Sequence, residues 1–219
     1  MNTRSVILEQ AAELLATSPS GDVSTRAVCE AAGVTQPVLY RLFGDKDGLL
    51  TAVADHVWEQ YLDGKRRAEE SDDPLEDLRA GWDNHTAFAL TNPHAYRLVF
   101  SADLAVRPAA IAEAMRLLVG ITERLAAQAR LAVAPEVAAQ IVMAANSGFA
   151  LGALLRPEVH TAASIDVREA TIRGILADAD PTDPLAGAVA TIRARVPGNV
   201  TSAEAGLLDE WLDRLTKNE

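Results

Sequence analysis

Apolar residues recur at helical spacing from one end of the sequence to the other, and no sustained apolar/polar alternation or hairpin turn between β-branched runs competes with them. The chain is therefore expected to be all-α. Ile7, Ala11, Leu14 and Leu15 form one stripe of a helix over Arg4–Ala16, closed by Thr17-Ser18-Pro19-Ser20-Gly21. Ser24 or Thr25 is placed to cap a short second helix that runs to Ala32, where Gly33 supplies a positive φ to stop it. Thr35 is expected to cap a third, with Pro37 tolerated in its first turn. A long fourth helix should start near Asp45–Asp47, pass through Val53, Val57 and Tyr61, and end about Glu69. Further helices are predicted over Leu75–Leu90, after Pro93, and over Pro108–Leu131, Pro135–Leu155, Ile165–Ala177, Pro184–Arg195 and Ser202–Leu215.

The chain has 219 residues, enough to bury about 70% of its unfolded surface without metal or disulfide staples. Aromatics are 5% of it, so the core must be aliphatic. A net charge of -11 argues against indiscriminate coating of nucleic acid or anionic membrane, while leaving room for a local basic surface. Val6, Ile7 and Leu8 are too few for the apolar part of a signal peptide. Val137–Leu155 contains Gln140, Asn146 and Ser147 and falls short of a membrane span. With the single Cys29, these features suggest a cytoplasmic protein with no membrane partner.

Residues Val23 to Lys46 carry the most specific pattern. Two short helices joined through Ala32-Gly33-Val34 make a helix-turn-helix, locked by Val28, Cys29, Ala32, Val34, Leu39 and Phe43. The opposite side is polar, with Gln36, Tyr40 and Arg41 near the start of the second helix, where side chains reach base edges in a major groove. Cys29 falls on the core side, as a small buried apolar residue.

Over roughly residues 4–55 the sequence resembles the tetracycline-repressor (TetR) family of bacterial transcriptional regulators. The resemblance rests on Ser24-Thr25, Ala31-Ala32-Gly33-Val34, Thr35, Leu39-Tyr40, Phe43, Lys46 and Leu49-Leu50. It implies a three-helix DNA-binding domain over residues 1–50, joined by a long helix to a ligand-binding and dimerisation bundle over residues 51–219. By position, Thr25, Thr35, Tyr40 and Lys46 are expected at the DNA interface, with Thr25, Tyr40 and Lys46 on phosphate oxygens. Arg26, Gln36 and Arg41 are expected to read bases, and Pro37 and Val38 to touch thymine methyls. Leu42 and Val38 depart from the residues common in the family, which bears on the operator sequence rather than on DNA binding. Residues 1–50 hold four cations against six acids, but Ser24–Lys46 holds three against two, so the acidity lies mainly off the reading surface.

In the later helices Trp82, His85, Tyr96, Phe100, Met115, Met143, Asn146 and Phe149 combine apolar walls with a few polar groups and are candidates for lining a small-molecule inducer site; plain core packing is the competing reading. Ala144, Gly148 and Gly152 at i, i+4 and i+8 smooth one flank of the helix over Pro135–Leu155, where the resemblance implies a homodimer interface and close intramolecular packing is the alternative. Leu207, Leu208, Trp211, Leu212 and Leu215 form an amphipathic stripe. Lys65-Arg66-Arg67 reads as a solvated face or a phosphate contact. Walker, nucleophile-elbow and His-Glu-x-x-His motifs are missing, and no Glu stands three residues before any histidine, so no catalytic residue, cofactor or metal is expected. The expected function is a dimeric, ligand-released regulator on a palindromic DNA operator; a helical protein-interaction module is the alternative.

Overall fold

The computed structural model describes residues 2–100, 108–157, 163–177, 188–189, 191–193 and 201–216. Its helices are, in chain order, α1 (Thr3–Thr17), α2 (Thr25–Ala32), α3 (Gln36–Phe43), α4 (Lys46–Arg67), α5 (Pro74–Thr91), α6 (Pro93–Phe100), α7 (Ala110–Ala127), α8 (Pro135–Leu155), α9 (Ser164–Ile175) and α10 (Ser202–Thr216). The β-type pairing among the described residues is confined to the isolated bridge Leu131–Leu176. The protein is all-α, as the periodicity predicts. The helix expected over Pro184–Arg195 lies largely outside the described residues; 188–189 and 191–193 are helical.

Local chemistry sets the helix ends. Ser24 accepts the Ala27 N–H at the start of α2, and Gly33 ends it with φ 64°, letting the Val34 N–H reach the Cys29 carbonyl at 3.0 Å. Thr35 stands at the N-cap of α3 in an extended conformation, yet its hydroxyl makes no capping bond. Pro37 has no N–H to offer it, and the Val38 N–H is taken by the Thr35 carbonyl at 3.0 Å. Asp45 caps α4 by accepting the Gly48 N–H at 2.8 Å. A Cβ on Gly48 would stand 2.1 Å from the Phe43 carbonyl oxygen, so the tight passage from α3 into α4 requires glycine there.

Two expected ends move inward. α7 stops at Ala127 rather than Leu131, because Ala129 adopts φ 56° and the Arg130 N–H turns back to the Leu125 carbonyl at 3.0 Å. α9 stops at Ile175 rather than Ala177, where Leu176 enters the bridge and the Ala177 N–H pairs with the Arg130 carbonyl at 3.0 Å.

By contacts the chain divides into two compact units, Met1–Ala68 with His85–Ala114, and Glu69–Asn84 with Met115–Glu219. The expected DNA-binding segment, residues 1–50, falls inside the first. That unit is closed by Ile7, Leu8, Ala11 and Leu15 of α1, Val28 and Cys29 of α2, Leu39 and Phe43 of α3, Leu49 and Val53 of α4, and Ala95 of α6. Each Ile, Leu, Val or Phe among them, once removed from water, contributes about 1.5–3 kcal/mol, and the alanines less.

In the second unit Leu75, Leu78 and Trp82 of α5 pack with Leu125, Leu131, Ala138, Val142, Ile172 and Ile175. The Arg79 guanidinium clasps the Glu169 carboxylate through two bonds of 3.0 and 2.9 Å, tying α5 to α9. α8 is long and apolar enough, with mean hydropathy 1.5, to cross a membrane by length and composition. Here Ala138, Ala139, Val142, Asn146, Ala150 and Ala153 bury one of its faces inside the unit, while 39% of its apolar window is buried in all.

The Gly33 turn gives a clean test. A Cβ there meets nothing within 4 Å, so Gly33→Ala is opposed only by the left-handed backbone. It is expected to lose about 1–2 kcal/mol in denaturant unfolding, and Gly33→Asn less, since Asn tolerates that conformation.

Candidate nucleic-acid interface and aromatic cluster

α2 and α3 turn Val28, Cys29, Leu39 and Phe43 inward. The side left outside carries the predicted DNA contacts: Arg26, Thr35, Gln36, Pro37, Tyr40 and Arg41 are exposed, and Thr25, Val38 and Lys46 half-buried. Thr25 Oγ1 and the Tyr40 hydroxyl, from different helices, come within 3.5 Å of each other, so two proposed phosphate ligands share one place. Thr35, exposed at the start of α3, makes no capping bond with its hydroxyl. Leu42 adds an exposed apolar side chain. Cys29 is buried, and burial followed by the nearby Glu30 carboxylate pushes its thiol pKa up, which disfavours the reactive thiolate.

Two cations on this surface are already held by acids. Lys46 Nζ lies 2.6 Å from Asp22 Oδ1, and Arg26 Nε lies 3.0 Å from Glu30 Oε1. The Lys46 ammonium, together with the Val23 N–H, holds the Asp22 carboxyl below its usual range. Arg41 makes no ion pair among the described residues.

The second feature lies in the same unit. Trp58 and Tyr61 of α4, His85 and Phe88 of α5, and Tyr96 and Phe100 of α6 form a cluster of six rings. Trp58 stacks on Tyr96 at 5.6 Å between centroids, and Tyr61 on Phe88 at 4.6 Å. The Trp58 and Phe88 rings meet edge-on at 4.9 Å. His85 Nε2 is 2.7 Å from the Tyr96 hydroxyl and Nδ1 is 3.3 Å from the Tyr61 hydroxyl. Burial, then the positive charge of Lys65, pushes the His85 pKa down to about 3, so the ring is neutral near pH 7; one nitrogen donates while the other accepts. Trp58, His85 and Tyr96 are buried and form a floor, while Tyr61, Phe88 and Phe100 are half-buried and form a rim.

Of the residues expected to line a ligand site, His85, Tyr96 and Phe100 therefore meet in one cluster. The other five belong to the second unit. Trp82 lies in its core, the Asn146 amide donates to the Trp82 carbonyl at 3.2 Å, and Phe149 packs against that core. Met143 Sδ is 3.5 Å from the Ser147 hydroxyl, and Met115 is half-buried. Sequence reasoning missed Trp58, Tyr61, Phe88 and Lys65 as cluster members. The spacing of Trp58, Tyr61 and Lys65, at i, i+3 and i+7 on one helical face, was the available signal.

The basic run Lys65-Arg66-Arg67 is corrected by the structure. Arg66 is held by Glu59 at 2.6 Å, Asp63 at 3.0 Å and Glu113 at 2.9 Å, and Arg67 by Asp63 at 3.3 Å. Lys65 instead folds over the Tyr61 ring, 5.1 Å from its centroid. The run is neither a free phosphate-binding patch nor a uniformly solvated face.

A polar helix-turn-helix face built on a small aliphatic core defines a DNA-binding protein of the helix-turn-helix class. Residues 7–53 match the family model of bacterial regulatory proteins, tetR family, so this N-terminal segment is similar to the DNA-binding part of those regulators. No curated protein matches the sequence significantly. Among solved structures, a TetR-family transcriptional regulator from Pectobacterium atrosepticum is similar with TM-score 0.66 and 22% identity, over 80% of this chain and 94% of that one. FadR from Bacillus subtilis, solved in complex with stearoyl-CoA, is similar with TM-score 0.65 and 16% identity, over 78% and 99%. NalD, a secondary repressor of the MexAB-OprM multidrug efflux pump in Pseudomonas aeruginosa, is similar with TM-score 0.57 and 19% identity, over 81% and 98%. At such identities these likenesses speak for the fold alone.

Two measurements follow from these contacts. Asp22→Asn frees Lys46 and removes a negative charge, so binding to random-sequence duplex should tighten several-fold, with a salt slope steeper by up to about 1. Fluorescence anisotropy at a series of salt concentrations reads both. For His85 the unfolded chain binds a proton below about pH 6.5 that the folded chain refuses until about pH 3. Stability is thus complete above pH 6.5 and is lost as pH falls, by about 1.4 kcal/mol per unit in this window. Urea unfolding between pH 6.5 and 5, above the range of the carboxylates, should show this slope in the native chain and lack it in His85→Asn.

Proposed function

We propose that the chain is a ligand-responsive repressor that binds a palindromic operator as a homodimer and leaves it when a small molecule occupies the aromatic cluster. The observation that carries this reading is that α4 bears both sites. Lys46 is its first residue, against the DNA face; Trp58 and Tyr61 lie 12 and 15 residues later, in the cluster. At 1.5 Å per residue Lys46 and Trp58 are about 18 Å apart along one rigid helix. A ligand that shifts the second half of α4 also moves the Lys46 end, and the spacing of two reading heads then fails to match successive major grooves. Release requires the ligand to prefer the shifted state, with coupling typically about 1–3 kcal/mol. The solved FadR complex and the NalD repressor are fold relatives whose names agree with such a role.

Arg26, Gln36 and Arg41 would read bases, Pro37 and Val38 would meet thymine methyls, and Thr25, Thr35, Tyr40 and Lys46 would hold the backbone. For the dimer, the outer flank of α8 presents Val137, Ile141, Ala144 and Gly148, all exposed, and a Cβ on Gly148 meets nothing within 4 Å. This flank is smooth and apolar, as an isologous helix pair requires. On α10, Leu212 is buried while Leu207, Trp211 and Leu215 remain exposed, a second apolar stripe suited to the same partner.

Selection of tight binders from a random duplex library at near-physiological salt should enrich a palindrome. A folded, dimeric protein that enriches no sequence would instead favour the protein-interaction module. Gln36→Ala should cost about 1–3 kcal/mol at one base position of each half-site, whereas Lys46→Ala should weaken all sequences alike. Ile141→Arg should yield folded monomers in sedimentation velocity and lose the palindrome; an unchanged dimer would remove α8 from the interface.

A further inference from the structure

Among the described residues, two polar groups of the aromatic cluster lack a hydrogen-bond acceptor or a counter-ion. The Trp58 side chain is completely buried, yet its indole N–H finds no acceptor among the described residues. Buried donors are almost always satisfied, so an orphaned one calls for an explanation; the Trp82 indole in the core of the second unit is orphaned too, but Trp58 stands beneath a half-buried rim of rings. Two turns further along the same face of α4, Lys65 has only the Tyr61 ring beneath its ammonium, with no carboxylate within ion-pair distance among the described residues. Its neighbour Arg66 is saturated by Glu59, Asp63 and Glu113, so those acids are spent on Arg66 and not on Lys65. Burial has pushed the Lys65 pKa down to about 8, the mark of an ammonium that has lost water without gaining a counter-ion.

The surroundings define what would fit. Tyr61, Phe88 and Phe100 form a half-buried rim of ring faces and edges, which favours a flat apolar body. His85 is neutral and its two nitrogens are engaged by Tyr61 and Tyr96, so it adds neither charge nor a free donor. One unpaired cation supports one negative charge; a polyanion would meet the acids around Arg66. We propose that the cluster binds an organic monoanion with a flat apolar body, its carboxylate or equivalent group paired with Lys65 and an oxygen accepting the Trp58 N–H. This inference rests on the ligand-responsive reading above and names the chemistry of that ligand.

The test uses the full chain without DNA. 1-Naphthoate and its neutral isostere 1-naphthamide are titrated calorimetrically into the native protein at pH 7. Naphthoate is expected to bind at least about tenfold more tightly. Lys65→Met should abolish the difference and Lys65→Arg should keep it. Above pH 8 the free Lys65 loses its proton, so naphthoate affinity should fall by about tenfold per pH unit in the native protein and stay level in Lys65→Arg. The other titratable groups on the packed elements are Tyr61 on α4, whose phenol is pushed up by burial, neutral His85 on α5, Tyr96 and the exposed Arg97 on α6, and Glu113 on α7, which is held by Arg66. Trp58→Phe should weaken both probes.

Equal binding of acid and amide, a preference that survives Lys65→Met, or binding of neither probe at millimolar concentration would overturn the proposal. Should Lys65→Met fail to fold, the pH dependence of the native protein against Lys65→Arg decides alone. Loss of the anion preference together with an enriched palindrome refutes this inference and leaves the regulator standing. An anion preference without a palindrome does the reverse.

Discussion

Helix α4 has to satisfy two sets of neighbours with one set of side chains. Leu49 and Val53 close the small core beneath α1, α2 and α3, and Trp58 anchors the rings of α5 and α6. Both groups lie on buried faces of the same helix, which also buries Thr51, Ala54 and Leu62. A helix in this position cannot rotate or slide without disturbing both. The start is fixed by the Asp45 cap and the Gly48 approach to Phe43, so Lys46 has little freedom relative to α3. At the far end Lys65, Arg66 and Arg67 lie in the last turn, where positive charge is favoured by the helix dipole.

The charge pattern of the exposed face of α2 and α3 bears on the proposed DNA binding by a chain that carries a strong negative charge. Each pairing, Lys46 with Asp22 and Arg26 with Glu30, is exposed and worth little in stability. Their effect falls on association: a phosphate or base that claims one of these cations must displace a carboxylate. Random DNA offers no base contact in return, whereas a correct half-site does. On the proposed reading the pairs lower binding to every sequence alike, and discrimination is left to the base contacts of the two half-sites.

Most of the fold was legible because its signals are local. Capping residues, Gly33 and the i, i+4 apolar stripes placed α1 to α4 within a few residues. Two ends were not legible: α7 is stopped by the left-handed Ala129, a residue with no sequence signal for that conformation, and α9 by the Leu131–Leu176 bridge, a tertiary pairing that leaves no periodic trace. The exposed polar face of α2 and α3 was equally readable, since its side chains occupy consecutive turns of two short helices. The ligand candidates were harder. A stripe on α5 containing both Trp82 and His85 reads as one surface, yet the chain's division into units falls between Asn84 and His85. Lys65 was hidden by its neighbours: a run of three cations suggests a common role, and only the geometry shows that two are neutralised while one lies on an aromatic ring.

That asymmetry within three residues bears on how a response could arise. A ligand shifts an equilibrium only by the difference in its affinity for the two states. Groups already satisfied in both states contribute nothing to that difference. His85, bonded on both nitrogens, belongs to this class and serves to keep Tyr61 and Tyr96 in place. Trp58 and Lys65 are different, because the unliganded protein carries the cost of an unmet donor and of a desolvated charge. An arrangement of α4 that brings a bound anion against both removes these costs together, while one that does not leaves them in full. The unmet groups are therefore where a modest ligand can generate the differential affinity that a switch needs, and they sit on the helix whose first residue is Lys46.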